Sequence, residues 1–294
     1  MRSLFYSFPK FAVSFFFLLF IGSCSEDIPA FSKKSLEQIG DTTYIETTIP
    51  TPDRKQVVME EFTGVNCVNC PQGSQLIKNI VQTFPGQIIE IGLHSAFLSE
   101  THSTSKQDLR TAEAEQLSQY FIDPGYKPAA AIDRFVFDSN NPSVQYDRNS
   151  WLTYVGQRVA QVAPVNVLVT TLYNTNTREL TATVETHFTK VVTGKIKLTV
   201  LLAEDSIETS QLDAGNVIRE KYIHRNVQRS FLTPYDGLPL SNDAEPGRVY
   251  RRSFKTTLPL APVEWQASKM HVIAFLHRFE GSKEVLQGAE VAVQ

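Results

Sequence analysis

The chain has 294 residues, 42% of them hydrophobic, and a formal net charge of −3 at pH 7. This length suffices for two modest domains. A charge balance this close to neutral, with no basic stripe along the sequence, gives no electrostatic basis for nucleic-acid binding, so no nucleic-acid partner is predicted.

The N-terminus has the layout of a secretory signal. A basic start precedes the apolar stretch 11–21, which is too short to span a bilayer comfortably. Ile21-Gly22-Ser23-Cys24 then resembles the lipobox of bacterial lipoproteins, in which the cysteine becomes the lipidated first residue of the mature chain. We predict a signal peptide over residues 1–23 and a membrane anchor through lipid on Cys24. The alternative is an ordinary signal peptide with an incidental cysteine.

Residues 24–54 form a polar segment that is interrupted by Pro29, Pro50 and Pro52. We predict a lipidated tether here, to which 43–49 could add an edge strand. The pattern becomes apolar just after residue 55, where we place the start of the first folded domain.

A strand, a helix and a second strand are predicted next. The β-like run 56–62 leads into Cys67-Val68-Asn69-Cys70 and Pro71. Apolar residues then recur at helical spacing until Pro85-Gly86 ends the helix; they are Leu76, Ile77, Ile80, Val81 and Phe84. The dense apolar run 88–93 is typical of a buried parallel strand. The pattern therefore indicates a β-α-β unit.

The two cysteines of this unit suit thiol–disulfide exchange, because they lie three residues apart at a strand-to-helix turn. Free N–H groups and the helix dipole favour a thiolate at Cys67, and Cys70 lies one turn further on, where it can attack a mixed disulfide. The spacing also fits half a zinc site or a structural disulfide. The sequence has no second Cys-x-x-Cys and no His-x-x-x-His, so redox chemistry is favoured and no cofactor or metal is predicted.

Three further elements complete this first domain, which we place at 55–140. A Ser- and Thr-rich loop over 94–106 leads to a second helix at 108–121, and 129–137 supplies another strand. Residues 141–160 are predicted to be a connector with a short helix near Trp151.

From residue 161 onward, apolar and polar residues alternate with a period of two. This alternation predicts strands at 165–169, 180–188, 195–202, 218–231, 248–257, 270–279 and 283–293. Short strands separated by turn signals favour an antiparallel β-sandwich over 161–294.

Three segments of the chain are distinctive: E-E-F-T-G-V-N-C-V-N-C-P, Y-K-P-A-A-A-I-D-R and Y-I-H-R-N-V-Q-R. Together they resemble the outer membrane protein 28 family of thioredoxin-like bacterial lipoproteins, over roughly residue 57 to the C-terminus. The resemblance implies an α/β thioredoxin-like domain followed by an all-β, immunoglobulin-like sandwich domain. It also implies a lipid anchor in the cell outer membrane, with the protein either periplasmic or exposed at the surface.

The resemblance also implies roles for two residues. Glu61 matches the buried acid that helps to move the proton of the resolving thiol in thioredoxins, and Pro128 matches the cis-proline that faces the active-site sulfurs. A cis bond before Pro128 is accessible, since X–Pro bonds prefer trans by only ~0.5–1 kcal/mol. Asn66 and Lys127 depart from the residues that thioredoxins carry beside the first cysteine and the cis-proline, which puts ordinary thioredoxin substrates in doubt.

His94 ends a buried strand at the sheet edge where sites form in open α/β sheets. It could assist proton transfer or join a metal site, but a hydrogen-bonded structural histidine is the favoured interpretation. The later His224 segment, with Arg225 and Arg229, receives no chemical role from the sequence.

The sequence thus predicts a lipid-anchored thiol–disulfide oxidoreductase of the cell envelope, with protein or peptide disulfides and dithiols as its partners. Cys67 would attack, Cys70 would resolve, Glu61 would move protons and Pro128 would shape the groove. The alternative is a surface binding or adhesion lipoprotein that keeps a thioredoxin scaffold and an inert Cys67–Cys70 disulfide.

Overall fold

The computed structural model describes residues 37–141 and 143–294. The predicted signal peptide, the start of the tether and Cys24 lie outside these ranges. Within them no helix is both long enough and apolar enough to cross a membrane.

The described residues form three α-helices and fifteen β-strands. The helices are α1 (Cys70–Thr83), α2 (Ala112–Tyr120) and α3 (Trp151–Val159). The strands are β1 (Glu37–Ile45), β2 (Val57–Thr63), β3 (Ile88–His94), β4 (Ala129–Ile132), β5 (Gln145–Asp147), β6 (Val165–Asn174), β7 (Glu179–Phe188), β8 (Val192–Glu204), β9 (Ile207–Asp213), β10 (Val217–His224), β11 (Val227–Phe231), β12 (Leu238–Ala244), β13 (Arg248–Thr257), β14 (Met270–Arg278) and β15 (Val285–Ala292).

The predicted β-α-β unit is present. β2 and β3 pair in parallel along their whole length, and α1 connects them. α1 buries Ile77 and Ile80 in a cluster that contains Val57 and Met59 of β2, while α2 packs on the other face of the sheet. Apolar side chains on both faces explain why these strands read as continuous hydrophobic runs.

β4 pairs with β2 in the antiparallel sense and is shorter than the predicted strand 129–137. It stops because Asp133 and Arg134 both adopt positive φ angles of 49°. Their charges are nevertheless buried: Arg134 makes two hydrogen bonds to Glu60, and Asp133 contacts Lys55 and Arg158. The two turn residues therefore anchor the end of β4 to β2 and α3.

The strands of 161–294 do not form a sheet separate from that of 55–140. One nine-stranded sheet runs β15-β14-β8-β11-β3-β2-β4-β5, with β12 also on β8. β11 makes the connection, because it is parallel to β3 at Val227 and Gly92 and antiparallel to β8. This continuity corrects the predicted split into an α/β domain and an independent sandwich.

A sandwich does form, between part of this large sheet and a second sheet of order β1-β13-β7-β6. Its core holds Leu180 and Val184 of β7 against Val200 of β8 and Val272 of β14. The molecule is therefore mostly β, as predicted for its C-terminal part. The second sheet also recruits β1, so residues 37–45 of the predicted tether are a paired strand.

Other elements differ in detail from the sequence prediction. The predicted strand 218–231 is two strands, β10 and β11, and the prediction missed β9 and β12. The predicted connector 141–160 contains the expected helix at Trp151 but also β5, which extends the large sheet beyond β4.

Candidate functional site

The two cysteines lie at the start of α1 and are joined by a disulfide bond. The N–H of Cys67 donates to Gly64 O and that of Cys70 to Cys67 O, so a tight turn connects the end of β2 to the helix. Pro71 lies in the first helical turn, where its missing N–H costs nothing. The predicted pairing of Cys67 with Cys70 is therefore present. Each cysteine is only 1% exposed.

Glu61 lies near the end of β2 and is 2% exposed. The side chains around it do not stabilise its ionised form enough to offset burial. Burial, and to a smaller extent the nearby charge of Glu90, raises its pKa from 4.5 to about 8, against the opposing effects of a hydrogen bond with Ser74 and the charge of Lys127. Near neutral pH the group therefore holds its proton. A carboxyl group that titrates close to neutrality is suited to proton transfer.

Pro128 precedes β4 and follows a cis peptide bond, as the family resemblance implies. It packs against α1 at Gly73, where a Cβ atom would come within 2.8 Å of Pro128 Cγ and 3.0 Å of Glu61 Oε1. Gly73 is therefore required by close approach of the helix to the proline and the acid. The four predicted residues, Cys67, Cys70, Glu61 and Pro128, share one neighbourhood, although their chemical roles stay predictions.

Lys127 does not point to solvent beside the cysteines. It is buried, and its Nζ donates to Thr63 O at 2.7 Å, to Ser95 O at 3.1 Å and to Phe97 O. Burial lowers its pKa to about 7, although nearby acids, led by Asp123, act in the opposite direction, and the three carbonyl groups favour the ammonium form. The side chain thus ties the cis-proline segment to the loop after β3.

The β9–β10 hairpin covers the cysteine turn from the other side. Gln211 Nε2 donates to Gly64 O and to Cys67 O, both at 3.1 Å, and Leu212 N donates to Val65 O at 2.8 Å. Sequence reasoning missed this cover. Thr209 and Gln211 are two residues apart in β9, so both side chains lie on one face of the strand, and that face is buried. This spacing is the signal that the sequence offered.

Next to Cys70 is a pocket of about 890 Å³ that is bounded by α1, by one face of β2 and β3, and by β10. Glu61, His94 and His224 line it. The two histidine rings lie 5.5 Å apart, centroid to centroid, and burial lowers the pKa of both, for His224 to about 4. Neither ring nitrogen of His94 has a hydrogen-bond partner among the described residues. The favoured prediction, a hydrogen-bonded structural histidine, is therefore wrong.

The arrangement is suited to thiol chemistry. It combines a reducible sulfur pair at a helix N-terminus with a carboxyl group that titrates near pH 8 and an adjoining pocket. In the described part of the chain no group of three or more histidine, cysteine, aspartate or glutamate side chains is placed to hold a metal ion.

The profile of the family described as outer membrane protein Omp28 matches residues 114–294. The chain belongs to this family. The match confirms the predicted resemblance and the outer-membrane localisation. The matched range of the Omp28 family begins after the cysteines, so it includes Pro128 and His224 but not the Cys67–Cys70 turn.

The chain is also similar to solved structures, and one of them supports the fold. HBP35 of Porphyromonas gingivalis is similar with a TM-score of 0.64 and 16% identity, over 83% of this chain and 77% of that one. A domain of the outer membrane lipoprotein Omp28 from the same organism has a TM-score of 0.31 and 18% identity, over 46% of this chain and 91% of that one. No curated protein matches the chain.

Proposed function

We propose that this Omp28-family protein is a thioredoxin-like thiol–disulfide oxidoreductase that a lipid on Cys24 holds at the outer membrane. The supporting observation is the convergence of three features at the start of α1. Four residues form them: Cys67 and Cys70 of the disulfide, the buried acid Glu61 and the cis-proline Pro128. A structural disulfide alone has no need of a neutral buried carboxyl group beside it.

In the reduced protein Cys67 is the attacking group, because free N–H groups at the start of α1 and the helix dipole favour its thiolate. The Cys67 thiolate attacks one sulfur of a partner disulfide, which releases one partner thiolate and forms a mixed disulfide. Cys70 then attacks the Cys67 sulfur and releases the second partner thiolate, leaving the Cys67–Cys70 disulfide. Glu61, in its ionised form, accepts the proton of the Cys70 thiol.

Substrates of this exchange are proteins or peptides that carry disulfides or dithiols. The test is capture of such partners from cell envelopes by the full-length Cys70→Ala variant, which lacks the resolving thiol. Cys67→Ala is the matched control, and it should capture far fewer partners. Capture by neither variant, with both folded, would refute the enzymatic function.

The second candidate is a binding lipoprotein with an inert disulfide, and one observation favours it. Both cysteines are 1% exposed and Gln211 bonds to the Cys67 carbonyl, so the hairpin must move before a protein can reach Cys67. An inert disulfide predicts a reduction potential below about −300 mV and loss of stability in both single-cysteine variants. The measured potential therefore separates the two candidates.

The lipid anchor has its own test. A Cys24→Ala protein should leave the membrane fraction and should lack an acylated N-terminal peptide. Retention in the membrane, with no acyl mass on the wild-type peptide, would refute the anchor.

A further inference from the structure

Of the two cysteines, Cys70 lines the pocket beside α1 and Cys67 does not, although each is only 1% exposed. Cys70 forms part of its wall, whereas Cys67 lies beneath the bonds that Gln211 makes to the turn. A small molecule in the pocket therefore lies beside Cys70 while the β9–β10 hairpin stays in place. A folded protein must reach Cys67, and for that the hairpin has to move.

Unpartnered polar atoms line this pocket. Glu61 Oε1, both ring nitrogens of His94 and Nε2 of His224 are buried without a hydrogen-bond partner among the described residues. Buried donors and acceptors are costly to leave unpaired. The wall is therefore suited to a small polar occupant that offers both donors and acceptors.

Most of the acidic groups in the wall are already engaged. Asp213 pairs with Arg219 at 2.5 Å, and Glu90 lies 3.9 Å from Arg225. Asp205 accepts hydrogen bonds from the Ser206 hydroxyl at 2.8 Å and from the N–H of Asn226 at 3.3 Å. Burial, together with the charge of Glu90, keeps Glu61 protonated near neutral pH.

Two cations of the wall are not balanced in this way. Lys78 of α1 and Lys221 of β10 are exposed, and neither has a carboxylate within 4.0 Å in the part of the chain that the structure describes. They lie on separate elements that bound the pocket. Their charges favour an occupant that carries a carboxylate.

The chemistry of exchange also favours attack from this side. A thiolate that attacks a disulfide expels the other sulfur, and the thiol of lower pKa leaves faster. Cys67 is the sulfur whose thiolate the start of α1 favours, so it is the better leaving group when Cys70 is attacked.

We propose that the pocket binds a low-molecular-weight thiol that carries a carboxylate, and that this thiol is the electron donor that reduces the Cys67–Cys70 disulfide by attack on Cys70. This inference rests on the proposed oxidoreductase function and supplies its reductant.

The reduction requires two molecules of thiol. The first thiolate attacks the Cys70 sulfur, a new S–S bond forms, and the electron pair of the broken bond leaves on Cys67. The second thiolate attacks the bound thiol's sulfur and releases Cys70 as a thiolate. Two thiols become one small disulfide, the protein disulfide becomes two cysteines, and the protons lost by the thiols pass through solvent to the protein.

The experiment compares an anionic probe, 3-mercaptopropionate, with a cationic one, cysteamine, on the full-length oxidised protein in detergent. Each second-order rate constant is expressed per thiolate and divided by the value for a synthetic peptide of residues 63–74 with the same disulfide. We expect a preference of roughly tenfold for the anionic thiol, about threefold for each lysine. This preference for the anionic thiol should fall to about one in the double variant Lys78→Ala/Lys221→Ala. It should persist in the control double variant Lys195→Ala/Lys255→Ala.

The same reaction, quenched with acid after a single turnover, locates the transient mixed disulfide by tandem mass spectrometry. We expect the thiol adduct on Cys70. An adduct on Cys67, equal normalised rates for the two thiols, or no reduction by either would overturn the inference. Capture of partner proteins by Cys70→Ala would still support the oxidoreductase itself, so the two failures are distinguishable.

Discussion

Replacement of Glu61 by glutamine should change how the stability of the fold depends on pH. The wild-type carboxyl group has a pKa of about 8 in the folded protein against 4.5 for the ordinary group. Because the folded-state pKa is the higher one, folding takes up a proton between these two values. The wild-type free energy of unfolding therefore falls as pH rises through this window, by about 1.4 kcal/mol for each pH unit.

The free energy of unfolding of the wild type decreases by roughly 5 kcal/mol in total. The decrease is complete above pH 8 and absent below pH 4.5. Glu61→Gln keeps the size of the side chain but has no proton to lose. The variant should therefore gain stability relative to wild type as pH rises from 5 to 9, with a slope close to that of one proton.

The assay is urea unfolding of both oxidised proteins at several pH values, followed by the fluorescence of the buried Trp151. The exposed Glu245→Gln variant is the control and should follow the wild-type profile. A difference between wild type and Glu61→Gln that stays constant from pH 5 to 9 would refute the reasoning, because Glu61 would then ionise at an ordinary pH through hydration from the pocket.

Two further variants test the packing around the site. Gly73→Ala should destabilise the fold by about 1–3 kcal/mol, since its Cβ would come within 2.8 Å of Pro128 Cγ. The control Gly156→Ala, whose Cβ would meet nothing nearer than 3.9 Å, should be neutral or slightly stabilising. Equal melting temperatures for the two variants would contradict this account. Glu60→Gln leaves the fully buried Arg134 without its bidentate carboxylate and should cost about 3–5 kcal/mol in chemical denaturation, so a loss below about 1 kcal/mol would show that the pair contributes little.

The local parts of the site could be predicted from the sequence because their signals are local. The Cys67 and Cys70 spacing, the helix that begins beside Pro71, and the strand before Glu61 all follow from residue types and periodicity within a short segment. The position of Pro128 came from the family resemblance, and its cis bond is present in the structure.

The long-range parts could not be predicted in this way. The pairing of Val227 with Gly92 joins two strands that are far apart in sequence, and strand propensity does not specify a partner. Asp133 and Arg134 also differ from expectation, because buried charge pairs stabilise a turn where the sequence pattern continues as a strand. Gln211 is a polar residue whose burial depends on the turn that it covers rather than on a hydrophobic core.

Insertion of β11 between β3 and β8 constrains the order in which the protein can be assembled. The chain is synthesised from its N-terminus, so β2, β3 and α1 are complete long before β11 exists. Until then the hydrogen-bonding edge of β3 is unpaired, and Ile89 and Leu93, which cluster with side chains of α2, lack their later contacts with Leu201 and Phe275. The cysteine turn is thus made early, on a half-built sheet that is prone to aggregate, and a chain truncated after α3 should be insoluble rather than a smaller folded protein.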